Sequence, residues 1–229
     1  MLVENWMSKP VITVGANDPM QRATELLKDH HIRILPVIEN GKLVGIITDR
    51  DLKRASASDA NSLEIHELVY LLSKIKVKEI MTKDPITIPP YYTLEETARV
   101  LLENKISGAP VVNDKGKVIG IITRDDMLKV LVNLTGVDKQ GVQFAFQVVD
   151  RSQSIHELTD VIRKYGGRMV SILTSYEKAP PGQRNVCIRA YKINHQKLPQ
   201  LLKELEEKAT LLYMVDHRED LRDIRYSFT

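Results

Sequence analysis

Two short stretches carry residue types that could do chemistry. Gly45–Asp51 reads GIITDRD and Gly120–Asp126 reads GIITRDD, each placing a threonine three residues before an aspartate. A Thr–Asp pair at that spacing, just after a buried strand, can do two things where a helix begins. The carboxylate can reach back to the threonine N–H while the threonine oxygen accepts from the first helical turn, which caps the helix. The same groups can face a ligand. A helix start offers N–H groups and a dipole that favour phosphate, the hydroxyl adds a donor, and the carboxylate suits a neutral diol. A nucleotide meets both demands, with its ribose at Asp and its phosphates at Thr and nearby basic groups. Spacing alone leaves both readings open.

The elements that position these pairs form an internal repeat. Met7–Val14 (MSKPVITV) aligns with Met81–Ile88 (MTKDPITI), Met20–Ile32 with Leu94–Ile106, and Arg33–Thr48 with Ser107–Thr123. Each copy reads strand, helix, strand, strand, helix, and the amino-terminal stretch up to Val14 reads as the first strand. Asn40-Gly41 signals a two-residue hairpin, with a longer loop at Asn113–Gly116 in the second copy. Asp18-Pro19 with Gln21, and Thr93 with Glu96, read as capped helix starts. Leu94, Ala98, Leu101 and Leu102 mark an apolar helix face. Between the copies, a polar loop (Ala55–Ser62) opens into a helix with Ile65, Leu68, Val69, Leu72 and Ile75 on one face, set to pack on the module or on another subunit.

Beyond Gly136 the pattern changes. Gly141–Val149 alternates like a strand, SIHELTDVIRKYG is amphipathic, two strands flank Pro180-Pro181-Gly182, a helix carries Pro199 near its start, and TLLYMVD closes the series. The order βαββαβ predicts a ferredoxin-like layer of helices on an antiparallel sheet. His217–Thr229 reads as a short helix or tail.

With M-[ST]-x-x-x-[IV]-T-[VI], I-x-x-x-P-V and G-h-h-T-x-x-D present twice in register, residues 3–134 resemble a tandem pair of CBS domains. With the insert and the βαββαβ segment, the chain resembles acetoin-utilisation B-type proteins, in which a CBS pair precedes an ACT-like domain. The resemblance implies an α/β fold with a pseudo-twofold CBS pair: repeat 1 over 1–58, an insert over 59–76, repeat 2 over 77–135, an ACT-like domain over 141–216 and a tail over 217–229. It also implies two clefts for AMP, ADP or ATP, or for S-adenosylmethionine, and association as a homodimer. Carried over by position, Asp51 and Asp126 would hold ribose and Thr48 and Thr123 phosphate. Thr13, Thr87 and the backbone of Ile32, Arg33 and Ile34 and of Ile106, Ser107, Gly108 and Ala109 would frame base and sugar. Among the basic residues nearby, His31, Arg33, Arg50 and Arg124 could meet phosphate. Arg33 becomes Ser107 in the second copy, so the two clefts should differ in affinity. The ACT-like loop Asp150–Ser154 carries Gln153 where a ligand-admitting glycine usually stands, which favours a structural or dimerising role for that domain.

Composition narrows the classes further. The 229 residues are 43% hydrophobic and 28% charged with a net charge of +3, too small and dispersed to imply nucleic-acid binding. Cys187 is the only cysteine, so no intramolecular disulfide is possible, and a reducing, cytoplasmic setting is expected. No apolar run is long enough to span a bilayer, and no secretory signal opens the sequence. His66-Glu67 and His156-Glu157 lack the second histidine of a zincin motif, and there is no P-loop, G-x-S-x-G or G-x-G-x-x-G. No metal site or catalytic cofactor is expected. The expectation is a non-catalytic adenine-nucleotide sensor acting on an unknown protein target. A scaffold without a ligand, its T-x-x-D pairs only capping helices, is the alternative. An enzyme of acetoin or acetyl groups ranks third.

Overall fold

The hydrophobic pattern resolves into two sets of elements. A computed structural model describes residues 1–58 and 74–225, apart from the side chains of 56–58, and divides into units Met1–Leu128 and Lys129–Thr229. The expected insert positions Ile65, Leu68, Val69 and Leu72, and the His66-Glu67 pair, lie outside the described residues.

In the first unit, β1 (Val14–Gly15), α1 (Met20–Asp29), β2 (Ile34–Glu39), β3 (Lys42–Thr48) and α2 (Asp49–Ser58) form one repeat. After α3 (Val77–Ile80) and β4 (Thr82–Lys83), the second repeat follows as α4 (Leu94–Glu103), β5 (Gly108–Val112), β6 (Val118–Thr123) and α5 (Arg124–Thr135). The β2–β3 turn is the predicted one: Glu39 pairs with Lys42, and Asn40 and Gly41 both take the positive φ that a type I′ turn requires.

The helix starts differ from one another. Thr93 and Glu96 form the expected capping box, the carboxylate accepting from Thr93 N–H at 2.7 Å and the hydroxyl accepting from Glu96 N–H at 3.2 Å. The bond from the Thr93 backbone N–H, then that from its side chain, hold the Glu96 carboxyl below its ordinary range. At α1 the box is absent. Pro19 itself is the cap residue, and Asp18 instead accepts from Gly15 N–H at 2.8 Å, pinning the preceding turn. On α4, buried Thr97 takes a core position, its hydroxyl satisfied by Thr93 O, while Leu102 stands 68% exposed.

Both α1 and α4 end alike. Ile32 N–H donates to Leu27 O and His31 N–H to Lys28 O; Ile106 donates to Leu101 O and Lys105 to Leu102 O. These are Schellman closures with His31 and Lys105, rather than glycine, in the left-handed region. The two closures are exposed and turn each chain into its β2 or β5 strand.

The two repeats exchange their leading segments. The expected first strand is instead a 3-10 turn at Val3–Asn5 followed by short contacts on repeat 2: Val3 N–H donates to Tyr92 O, Leu94 N–H to Met1 O, and Ser8 bridges Ile121. The counterpart before repeat 2 serves repeat 1: Val77 N–H donates to Asp18 O, Lys78 N–H to Ala16 O, and β4 pairs with β3. The sheet order is therefore β1-β2-β3-β4 in one half, and Ile88, β5, β6, Ser8 in the other. Val77 and Met81 pack in the core of repeat 1 with Met20, Leu27, Leu35, Val37 and Ile47.

The second unit has the predicted βαββαβ order in β7 (Val142–Val149), α6 (Ser154–Lys164), β8 (Arg168–Ser175), β9 (Gln183–Tyr191), α7 (Leu198–Glu206) and β10 (Thr210–Asp216). Pro199 lies in the first turn of α7, where its missing N–H breaks no bond. The segment read as a helix or tail is instead a strand, β11 (Leu221–Ile224), which adds to β10 and makes a five-stranded antiparallel sheet of order β11-β10-β7-β9-β8. Val142, Phe144, Phe146 and Val148 alternate onto the helix-covered face and pack with Leu158, Ile162, Ile188, Leu201 and Leu205.

Candidate functional site

The strand–helix junctions place the two Thr–Asp pairs identically. At the first, Thr48 N–H and Oγ1–H donate to Asp51 Oδ2 at 2.9 and 2.6 Å, and Asp51 N–H reaches back to Thr48 Oγ1 at 3.4 Å. At the second, Thr123 donates to Asp126 Oδ2 at 2.9 and 2.7 Å, and Asp126 N–H returns at 3.3 Å. Asp126 is only 5% exposed, whereas Asp51 is half-buried. Each carboxylate spends one oxygen on its cap. At Asp51 the other carboxylate oxygen is a further acceptor, and these bonds do not use it.

Pairing of the central strands brings further predicted residues to each junction. Ile34 lies opposite Thr48, and Asp49 N–H donates to Arg33 O at 3.3 Å. Gly108 lies opposite Thr123, and Arg124 N–H donates to Ser107 O at 2.9 Å. Ile32 and Ile106 are half-buried, and Ala109 is fully buried, so only its backbone can face a ligand. Arg33, Arg50 and Ser107 are exposed, as is His31 at the Schellman closure. Thr13 and Thr87, both exposed, precede Val14 and Ile88, which pair in parallel with Val37 and Val111; β2 and β5 thus separate them from the Thr–Asp junctions. Arg124 turns a guanidinium nitrogen to within 3.4 Å of Leu101 O at the end of α4, which engages part of the group expected at phosphate.

Three features were not legible beforehand. A Cβ on Gly45 would stand 2.5 Å from Met81 Sδ, and one on Gly120 2.1 Å from Met7 Sδ. The glycines therefore admit the exchanged methionines of the opposite leading segments. A Cβ on Gly108 would stand 2.8 Å from Ile34 Cδ1, so these two counterpart residues meet, an isoleucine filling what a glycine leaves open. The third feature is the closed state of the Asp150–Ser154 loop. Arg151 pairs with Glu157 at 2.7 Å, Arg184 with Asp150 at 3.4 Å, and Ser154 Oγ donates to Val149 O at 2.6 Å. Among the described residues no group of three or more His, Cys, Asp or Glu is arranged to hold a metal, and no helix is long and apolar enough to cross a membrane.

Comparison with known proteins converges on the first unit. The CBS domain family profile matches residues 3–58 and 77–133. A CBS domain-containing protein of Dictyostelium discoideum is 35% identical over 135 residues, which are 58% of this chain and 93% of that protein. An inosine-5′-monophosphate dehydrogenase of Korarchaeum cryptofilum is 37% identical over 54% of this chain, a match spanning only 23% of the enzyme. Among solved structures, the CBS domain pair of protein MJ0100, crystallised with 5′-methylthioadenosine and S-adenosyl-L-methionine, is 34% identical, with a TM-score of 0.50 over 57% of this chain and 95% of that one. A Vibrio cholerae protein provisionally assigned to acetoin utilization (AcuB) is 28% identical, with a TM-score of 0.50 over 61% of this chain and 96% of that one.

Proposed function

Because this chain belongs to the family of CBS domain-containing proteins, we propose that its first unit is a regulatory binding module for adenosine compounds. The observation that carries this reading is the pair of Thr–Asp junctions, alike in bond pattern and set on repeats that exchange their leading segments. In each junction the Asp carboxylate meets the ribose hydroxyls, and the Thr end of the helix start meets phosphate or another polar substituent. The MJ0100 pair, whose crystals hold two adenosine compounds, supports adenosine as the common ligand part. The two junctions bind unequally, since Arg33 and Ile34 of one stand where Ser107 and Gly108 of the other do. Occupancy shifts the arrangement of a homodimer or of the C-terminal ACT-like unit, which requires only that the ligand prefer one arrangement. The chain itself performs no catalysis and works in the cytoplasm, its output read by a protein target.

One observation favours a second reading. The same bonds cap α2 and α5 without any ligand, as a scaffold would need. Isothermal titration of the full chain with AMP, ADP, ATP and S-adenosylmethionine, beside Asp51→Ala and Asp126→Ala, separates the two. Saturable binding lost in one variant supports the sensor and identifies the stronger junction. Absence of binding by all four to ligand-free protein leaves the scaffold.

A further inference from the structure

Two helices, α6 and α7, cover one face of the C-terminal sheet, and alternation assigns the residues of the other, where Ser171 Oγ donates to Thr135 O at the end of α5 at 3.0 Å. Strand register aligns Arg222, Val215, Gln143, Arg189 and Ser171 in one row across all five strands of this second face. The next row is Ile224, Tyr213, Ala145, Cys187 and Leu173. The first row is basic and holds no carboxylate; the second is mostly apolar.

Arg189 sits near the middle of the first row and is 5% exposed. Its Nη2 donates to Gln143 Oε1 at 2.5 Å, and Gln143 Nε2 donates to Tyr213 Oη at 3.0 Å, so its bonded partner is a neutral amide. Nη1 is buried with no hydrogen-bond partner among the described residues. A guanidinium does not escape burial by losing its proton, so an unpaired one is costly until an anion joins it. Asp216 belongs to the opposite face, paired with Val142, its Oδ1 accepting from Arg218 N–H and its Oδ2 lying 3.0 Å from His195 Nδ1, and Asp220 pairs with Arg222 at 3.0 Å. His217 lies beyond β10 on the face of Arg189, its Nε2 also buried without a partner. Burial first, then the charges of Arg189 and Arg222, keep this imidazole less basic than usual, against the opposing pull of Asp216 and Asp220.

We propose that this face holds a small-oxyanion site, in which a carboxylate or phosphate oxygen accepts from Arg189 Nη1 beside the Gln143–Tyr213 bond. The planar fork of a guanidinium suits either oxyanion. Cys187 and Leu173 in the adjacent row offer an apolar flank for a short carbon chain, which distinguishes an organic acid from free phosphate. This site is separate from the Thr–Asp junctions and does not depend on their reading.

The test is NMR titration of the full chain with inorganic phosphate and, separately, with succinate, following the backbone amide signals of Gln143, Cys187 and Tyr213, which remain in every variant, up to about 20 mM, enough to fill a millimolar site. The expected result is a saturable shift that survives in the Asp51→Ala/Asp126→Ala double variant and is lost in Arg189→Gln. Saturation by phosphate but not succinate assigns an inorganic or phosphoryl ligand, and the reverse assigns an organic acid. Ser171 is the register partner of Arg189 and its Oγ donates to Thr135 O, so Ser171→Asp brings a carboxylate beside the guanidinium at the loss of that bond and should abolish the response, whereas Ser171→Ala loses the same bond and should keep it; the pair keeps the test decisive if Arg189→Gln does not fold. No saturable shift with either probe, or an undiminished response in Ser171→Asp or in folded Arg189→Gln, overturns the proposal.

Discussion

The exchange of leading segments makes an unequal prediction for two glycines that look equivalent in the repeat. A glycine inside a strand ordinarily costs roughly 0.5–1 kcal/mol relative to alanine, so Gly45→Ala and Gly120→Ala would each stabilise if the space were open. It is not. At Gly120 the three atoms nearest the new Cβ all belong to the Met7 side chain, Sδ at 2.1 Å, Cγ at 2.6 Å and Cβ at 3.0 Å. Methionine is unbranched and adapts, so Gly120→Ala should destabilise by only about 1 kcal/mol. At Gly45 the Cβ meets Met81 Sδ at 2.5 Å and also the backbone oxygen of Thr82 at 2.8 Å. That oxygen cannot retreat without disturbing the Gly45–Lys83 and Ile46–Thr82 pairing of β3 with β4. Gly45→Ala should therefore cost about 2–3 kcal/mol, the upper part of the overpacking range. Urea unfolding of the full chain measures both, and Trp6, the only tryptophan, reports by fluorescence on the segment that carries Met7. A double-mutant cycle completes the argument. Met7→Ala should cost about 1 kcal/mol less in the Gly120→Ala background than in the wild type, because it removes the clash. The exchange would be refuted by a neutral or stabilising Gly45→Ala, or by a Met7→Ala cost that is the same in both backgrounds.

Other perturbations act on single elements. Thr48→Val should destabilise by about 1 kcal/mol with no nucleotide present, since the Asp51 N–H loses its acceptor and the carboxylate a donor; thermal unfolding of the ligand-free protein measures it. Lys105→Gly should stabilise by up to about 1 kcal/mol, because the left-handed residue after α4 then carries no Cβ; denaturant midpoints decide the sign. His217 prefers its neutral form in the folded protein, so the unfolded chain binds the proton more readily as pH falls below the ordinary histidine value. Wild-type stability should thus decline on acidification from that point, and His217→Asn should flatten that part of the profile in thermal melts taken between pH 7 and 5.

The parts of this molecule that could be read in one dimension are those fixed by neighbours in sequence. The T-x-x-D pairs close over three residues, Asn40-Gly41 sets its own turn, Thr93 and Glu96 cap their own helix, and strand alternation in β7 identifies its core face. Such features follow from backbone geometry within a few residues, and a repeat states them twice. The misread elements are those in which a distant group competes for a local one. Asp18 leaves its helix to hold Gly15, Leu102 yields its inward place to Thr97, and the leading segments around Met7 and Met81 form short bridges on the opposite repeat instead of strands in their own. Only packing decided that Ile34 meets its counterpart Gly108, and that the closing residues of the chain add β11. Register alone then set Arg222, Gln143 and Arg189 in one row. These contacts join residues tens of positions apart, where no periodicity or propensity reaches, and side-chain volume and hydrogen-bond satisfaction choose among the pairings that local sequence leaves equally possible.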